Sequence, residues 1–334
     1  MAIDLMALTP HKVSSDLSGY ITYVFGAPKT GKTTLASQAP DCLLLACERG
    51  YNAIPGIIAQ DITSWAEMRQ VFKELKKPEV QARFKTVIVD TIDLAAKYCT
   101  KYICNQNEVQ ELGDLPYGKG YNLMRSEFED IFNSLAQLGY AIIFISHAQE
   151  SVFTRENGTE YNRIIPSLSP SKVNAIIENM ADIYGYAHQK IYEDGSSQVV
   201  LTLRSNDGSI SCGSRFKYID SEVPFTYDAL VDAINRAIDT ESSGANKQFY
   251  TEEKNVFSSN ELNFDELMAQ FNDMVEKIQK NSGPDFGKKW APKIVAITDK
   301  YLGKGKKVND MTPTQVEQLD LIVSDLLDLV SNGL

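Results

Sequence analysis

The sequence predicts an α/β fold with a mainly parallel central sheet, followed by a small helical domain, and three features carry that prediction. Between Tyr20 and about Ala237, short apolar β-rich runs alternate with longer helical stretches, the pattern of parallel strands joined by crossover helices. Four of those runs are apolar at successive positions, as expected of strands covered on both faces. Beyond a polar stretch the apolar residues recur only at helical spacing.

The four central strands are ITYVF (Ile21 to Phe25), CLLLA (Cys42 to Ala46), KTVIVD (Lys85 to Asp90) and YAIIFIS (Tyr140 to Ser146). IYGYAHQKIYED and SSQVVLTLRSND then read as two strands around the Asp194-Gly195 turn signal, with a shorter strand between Arg215 and Tyr218. Phe225 to Ile238 has helical spacing and closes a domain spanning residues 1–238. Residues 239–260 are polar and rich in Ser, Asn and Glu, which reads as a linker. Residues 261–334 form the helical domain, with helices over Glu261 to Gln279, Lys288 to Tyr301 and Thr312 to Val330; the last opens on Thr312-Pro313, an N-cap with proline in the first turn.

The 334 residues suffice for one large core and an appendage, since single cores rarely exceed about 250 to 300 residues. The N-terminus lacks a basic start followed by an apolar core, and no run approaches the length of a membrane span. A soluble, cytoplasmic protein is expected. Five cysteines suit reduced thiols rather than a disulfide framework. The net charge of −11 argues against a uniformly basic nucleic-acid surface and leaves room for a local one.

The segment Gly26, Ala27, Pro28, Lys29, Thr30, Gly31, Lys32, Thr33 fits G-x-x-x-x-G-K-[ST], directly after a strand and before the helical run that begins with Thr33 and Thr34. Gly26 and Gly31 let the backbone curl so that N–H groups face phosphate oxygens. Lys32 supplies charge to the β- and γ-phosphates, and Thr33 a hydroxyl to Mg²⁺. Asp90, ending its apolar strand, is placed to hold the ion directly or through water. ATP and Mg²⁺ are the expected substrate and cofactor.

Hydrolysis requires a group that orients or deprotonates water, and the position after Asp90 is Thr91 rather than glutamate. Glu48, just past the second strand, lies at the same sheet edge as the phosphate loop and is the candidate base; the alternative reading is a solvated charge. Asp93 is a weaker candidate or a helix cap. His147, after the fourth strand, is either a γ-phosphate sensor or a packed loop histidine.

The order GAPKTGKTT, ACERG, VIVDTID, LPYGKGY, FISH, LTLRSN and SRFKY resembles the RecA-like ATPases, and within them the phage AAA-type proteins that include Sak-type single-strand annealing proteins. The resemblance spans about residues 18 to 238 and implies a RecA-like core, a phage-encoded protein in a bacterial host cell, and a homo-oligomer acting on single-stranded DNA. His147 stands where RecA-like proteins often have Gln, which puts filament formation in doubt. DNA-facing loops would correspond to Asn105 to Gly120 and Ala148 to Ser171. They offer Lys119, Arg155 and Arg163 as phosphate contacts, and Tyr121, Phe153 and Tyr161 as stacking rings; an ordinary solvated loop is the other reading. Arg204, Arg215 or Lys217 would be the cation given to a neighbouring subunit's γ-phosphate, or would pair with surface carboxylates.

Two C-x-x-x-x-C pairs, Cys42/Cys47 and Cys99/Cys104, read as buried thiols rather than a metal site. The lysine-rich segment Lys300 to Lys307 is a solvated turn or a contact for nucleic acid or an acidic partner, and Trp290 belongs to the tail core. The expected function is ATP-dependent DNA recombination or single-strand annealing. A replicative helicase-type motor, or a nucleotide-gated module docking a single-strand-binding or replication protein through its tail, are the alternatives.

Overall fold

The structure is a computed structural model describing residues 13–14, 17–242, 250–251 and 262–331. It divides into two compact units, with the change after residue 258.

The first unit is built on one large sheet. After a short strand β1 (Val13–Ser14), β2 (Ile21–Gly26) leads through the phosphate loop into α1 (Lys32–Ser37), β3 (Cys42–Ala46) and β4 (Ile58–Asp61). Helices α2 (Trp65–Leu75) and α3 (Pro78–Arg83) return the chain to β5 (Thr86–Asp90), and α4 (Ile92–Gln106) and α5 (Lys119–Gln137) to β6 (Ala141–Thr154). There follow β7 (Glu160–Pro166), α6 (Ser171–Met180), β8 (Ile183–Ile191), β9 (Ser197–Thr202), β10 (Gly213–Ser214), β11 (Glu222–Pro224), α7 (Tyr227–Ser242) and β12 (Tyr250–Thr251).

The strand order β11-β9-β8-β2-β6-β5-β3-β4 puts β6 between the phosphate-loop strand and the strand carrying Asp90. From β8 to β4 every neighbouring pair is parallel, while β9 and β11 extend the sheet antiparallel beyond β8. This is the expected mainly parallel core with its antiparallel extension. Because side chains alternate across a strand, Tyr23, Phe25, Leu45, Val89 and Phe144 face the core under α2, α4, α5 and α6. Their neighbours Leu44, Ile88, Ile143 and Ile145 face Ala36 of α1 and Ala39 just beyond its end, and Val24 packs with α7. Burial on both faces explains why these strands read as unbroken apolar runs.

The structure departs from the sequence reading in three places. Ala148 to Ser171, expected as loop, is mostly a β-hairpin: β6 runs seven residues past His147 and pairs with β7 in register from Ala148↔Pro166 to Thr154↔Glu160. The strand expected from Arg215 to Tyr218 is replaced by Gly213–Ser214 and Glu222–Pro224. Asp239 to Ser242, assigned to a linker by composition, continue α7; the exposed side chains of Asp239, Thr240 and Glu241 suit a solvent-facing last turn. Most of the remaining residues to 260 lie outside the described residues.

In the second unit α8 (Phe264–Ser282), α9 (Ala291–Leu302) and α10 (Val316–Ser331) pack around Phe271, Ile278, Trp290, Ile294, Leu319 and Ile322. Asn263 caps α8 by accepting from the N–H groups of Asp265 and Glu266. Thr312 and Gln315 form a capping box before α10.

Candidate nucleotide site

The site lies at the C-terminal edge of the parallel strands. Gly26 ends β2 with Ala187 of β8 directly opposite; a Cβ there would stand 2.4 Å from the Ala187 carbonyl oxygen, so only glycine lets the two backbones approach. Gly31 turns the loop into α1 with φ 87°, a left-handed geometry that glycine adopts without steric cost. Lys32 is buried, and its Nζ donates to the carbonyls of Gly26 and Ala27 at 2.9 and 2.8 Å. Burial lowers the Lys32 pKa, opposed by the carboxylates of Asp90, Glu48 and Asp93. Of the other loop positions, Thr30 donates its hydroxyl to the Ala27 carbonyl at 3.0 Å, and Lys29 has φ 66°. Pro28 and Thr34 lie on the same loop and first helical turn.

Thr33 Oγ1 donates to Asp90 Oδ2 at 2.6 Å, joining the two residues expected to hold Mg²⁺. Both atoms are hard oxygen donors, which suits an ion that takes one or two protein oxygens and otherwise keeps water or phosphate ligands. Among the described residues no cluster of three or more His, Cys, Asp or Glu forms an all-protein metal cage, consistent with that sparse donor set. Burial raises the Asp90 pKa, with the Thr33 hydroxyl and the Lys32 charge acting in the opposite direction.

Glu48 and His147 come together beside this pair. His147 Nε2 is 3.1 Å from Glu48 Oε1, which also accepts from Thr91 Oγ1 at 2.9 Å. The Glu48 backbone N–H donates to the Asp90 carbonyl at 3.1 Å, and Thr91, the residue after Asp90, orients the Glu48 carboxylate through its hydroxyl. Asp93 does not act as a simple helix cap. Its Oδ1 accepts from Ser146 Oγ at 3.1 Å and Ser167 Oγ at 2.6 Å, one residue before His147 and one residue after β7. The Ser167 N–H donates to the His147 carbonyl at 2.8 Å, closing the base of the hairpin. Sequence reasoning missed this clamp because its members are far apart in the chain.

A cleft of about 920 Å³ opens from Glu48, Asp93 and His147 along α4 to Lys97, Lys101 and Tyr121. Asp93 Oδ2 and His147 Nδ1 are buried without a protein hydrogen-bond partner there. Lys119 is exposed at the start of α5. On the hairpin, Arg155 is exposed with its guanidinium 4.8 Å from the Tyr161 ring. Arg163 is half-buried between Phe153 and Ser211.

Arg204 and Arg215 are engaged within their own chain, not gathered at the site. Arg204 donates to the carbonyls of Phe216 and Lys217. Arg215 pairs with Asp182 at 2.9 Å, whose other oxygen accepts from the Ile21 N–H. Ile21 begins β2 and Gly26 ends it, so Arg215 sits at the opposite edge of the sheet, about 17 Å along the strand from the loop. Lys217, the third candidate, is exposed, with its ammonium 4.9 Å from the Tyr218 ring. Cys47, Cys99 and Cys104 are buried free thiols, and Cys42 is half-buried.

A P-loop following β2, an aspartate ending β5 and a strand between them define a P-loop nucleoside triphosphatase. Residues 18–215 match the family described as AAA domain, and the chain belongs to that family. It is also 30% identical over 337 residues to the SPbeta prophage-derived uncharacterized protein YorG of Bacillus subtilis (strain 168), covering 99% of this chain and 100% of that protein. Among solved structures, the flagellar accessory protein FlaH of Methanocaldococcus jannaschii aligns over 62% of this chain and 84% of its own, with 10% identity and a TM-score of 0.33. No described helix is long and apolar enough to cross a membrane.

Proposed function

We propose that this P-loop protein hydrolyses ATP with Mg²⁺ and uses the turnover to act on single-stranded DNA, as an oligomer, in recombination or single-strand annealing of a phage or prophage genome. The observation that carries the reading is the continuity of β6, which runs from the sheet through His147 at the nucleotide site into the hairpin that bears Arg155 and Tyr161. Glu48 is the group that orients and deprotonates the attacking water, and His147 and Thr91 hold its carboxylate. Lys32 and the loop amides bind the phosphates, and bound Mg²⁺ would neutralise their developing charge.

Three exposed groups support the choice of DNA. Tyr117 is fully exposed and held at φ 56°, with Lys119 two residues on and half-exposed Tyr121 on the first turn of α5. Rings beside cations suit a single strand, which binds by stacking and by phosphate contact. The similarity to a prophage-derived protein fits a phage setting.

The test is ATP turnover by the purified chain with and without a single-stranded oligonucleotide, with Lys32→Ala as the blank. Stimulation that disappears in Lys32→Ala is the expected result. Turnover indifferent to DNA, with no DNA binding at low salt, would overturn the reading.

A further inference from the structure

One segment of the second unit concentrates cations in a chain whose net charge is −11. Between Lys288 and Lys307 there are seven lysines and a single acid, Asp299. Lys300 is paired with Asp325 at 2.8 Å. Lys288, Lys289, Lys293, Lys304, Lys306 and Lys307 are exposed, and none forms an ion pair among the described residues. Exposed lysines elsewhere in the unit are neutralised locally: Lys277 and Lys280 pair one turn back with Asp273 and Glu276.

The unpaired cations are displayed on ordered backbone. Gly303 and Gly305 take left-handed φ values of 89° and 83°. The Gly305 N–H donates to Asp299 Oδ1 at 2.9 Å, the Lys306 N–H donates to the Gly303 carbonyl at 3.2 Å, and buried Val308 anchors the end of the turn. A fixed turn loses less entropy on docking than a free tail. At the other end of α9, the ammonium groups of Lys289 and Lys293 lie 5.2 and 5.0 Å from the Trp290 ring. The twelve residues of α9 span about 18 Å, the length of about five base pairs of duplex.

We infer that α9 and the turn from Gly303 to Lys307 form a docking surface for the phosphate backbone of duplex DNA. Charge complementarity selects a polyanion. The surface lacks the exposed rings that single-strand sites use: Trp290 is buried, and half-buried Tyr301 donates its hydroxyl to Asp325. A duplex, whose bases are already stacked, needs only the cations. This surface belongs to the second unit, whereas the hairpin and Tyr117 belong to the first, and the inference stands apart from the single-strand reading of the first unit.

The test is binding of a labelled duplex to the full chain by fluorescence anisotropy over a salt series. Six neutralised phosphates give a slope of log K against log salt of about −5. The triple variant Lys304→Gln, Lys306→Gln, Lys307→Gln should flatten that slope by about 2.5 and weaken binding at low salt. The double variant Lys277→Gln, Lys280→Gln should leave it unchanged. An equal slope in the triple variant, an equal loss in both variants, or no duplex binding by the parent chain would overturn the inference. Single-strand-stimulated ATP turnover, read on the same triple variant, is expected to persist; its absence in the parent chain would count against the proposed function and leave the duplex result to be judged alone.

Discussion

His147 Nε2 lies 3.1 Å from Glu48 Oε1, so the point where β6 leaves the sheet touches the carboxylate that follows β3. Glu48 is thus a held group, with Thr91 as its second partner. Glu48→Gln keeps the shape and a hydrogen-bonding head but cannot take a proton. Turnover is expected to fall by about 10² to 10⁴-fold, the range for loss of general-base catalysis, with nucleotide binding retained. His147→Ala should lower turnover less, since Thr91 still orients Glu48, and His147→Gln should recover part of that loss. Steady-state hydrolysis and equilibrium binding of a labelled nucleotide measure the two quantities; wild-type turnover in Glu48→Gln would remove Glu48 from the chemistry.

Asp93 ties together Ser146 and Ser167, the two roots of the hairpin. Asp93→Ala leaves both hydroxyls without that acceptor at a largely buried site, and a loss of about 1 to 3 kcal/mol is expected from the unsatisfied groups. Asp93→Asn retains one acceptor oxygen and should cost less. Urea unfolding gives the stability, and amide exchange should show protection lost first between Ala148 and Pro166. Uniform loss of protection across the first unit would argue against a local clamp.

These relationships divide by how far apart their members lie in the sequence. Gly26 to Thr33 and Asp90 could be read directly, because each motif is contiguous and flanked by an apolar strand. Glu48 and His147 could be placed at the right sheet edge by counting to strand ends, but their contact could not, as it depends on β3 and β6 lying on either side of β5. The Asp93 clamp joins residues 53 and 74 positions apart and leaves no local signal. The hairpin did leave one: Asn157-Gly158 lies between two runs of β-forming residues, a strong short-range turn signature. Gly158 takes φ 81°, and the Arg155 N–H donates to the Thr159 carbonyl at 2.9 Å.

Gly26→Ala tests packing rather than chemistry. The added methyl would meet the Ala187 carbonyl oxygen at 2.4 Å, and neither strand can shift without disturbing the sheet. Overpacking of this kind costs about 1 to 3 kcal/mol. Thermal unfolding should show a lowered midpoint together with weakened nucleotide binding, because the loop begins at that residue. An unchanged midpoint would mean that β8 moves aside at no cost.

Tyr140 provides a pH-dependent test away from the site. Its hydroxyl donates to the Leu75 carbonyl at 2.8 Å, and burial pushes its pKa from 10.0 to about 12. A pKa raised on folding means that the unfolded state loses its proton first. The associated stability is complete below pH 10, where both states are protonated, and is lost as pH rises towards 12. At pH 11 the loss is about 1 kcal/mol. Tyr140→Phe should cost about 1 kcal/mol at neutral pH for the missing hydrogen bond and should flatten the decline between pH 10 and 12. Urea midpoints across that range measure the slope; parallel curves for the two proteins would assign the alkaline loss to other groups.

Tyr117 allows the proposed DNA binding to be tested apart from folding. Its ring is fully exposed, and the residue lies outside every hydrophobic core cluster, so Tyr117→Ala should leave the thermal midpoint within about 1 °C, as expected of a surface change far from packing. If the ring stacks on a base, its loss should cost about 1 to 3 kcal/mol of single-strand affinity, or roughly 5- to 150-fold in Kd. Tyr117→Phe or Tyr117→Trp should restore most of it, because stacking needs the ring and not the hydroxyl. Titration of a labelled single strand at fixed salt reads the affinity. Equal affinity for Tyr117→Ala and the parent chain would remove this ring from the DNA path and shift the contact to the cations of the hairpin, where Arg155→Gln should then weaken binding and reduce its dependence on salt.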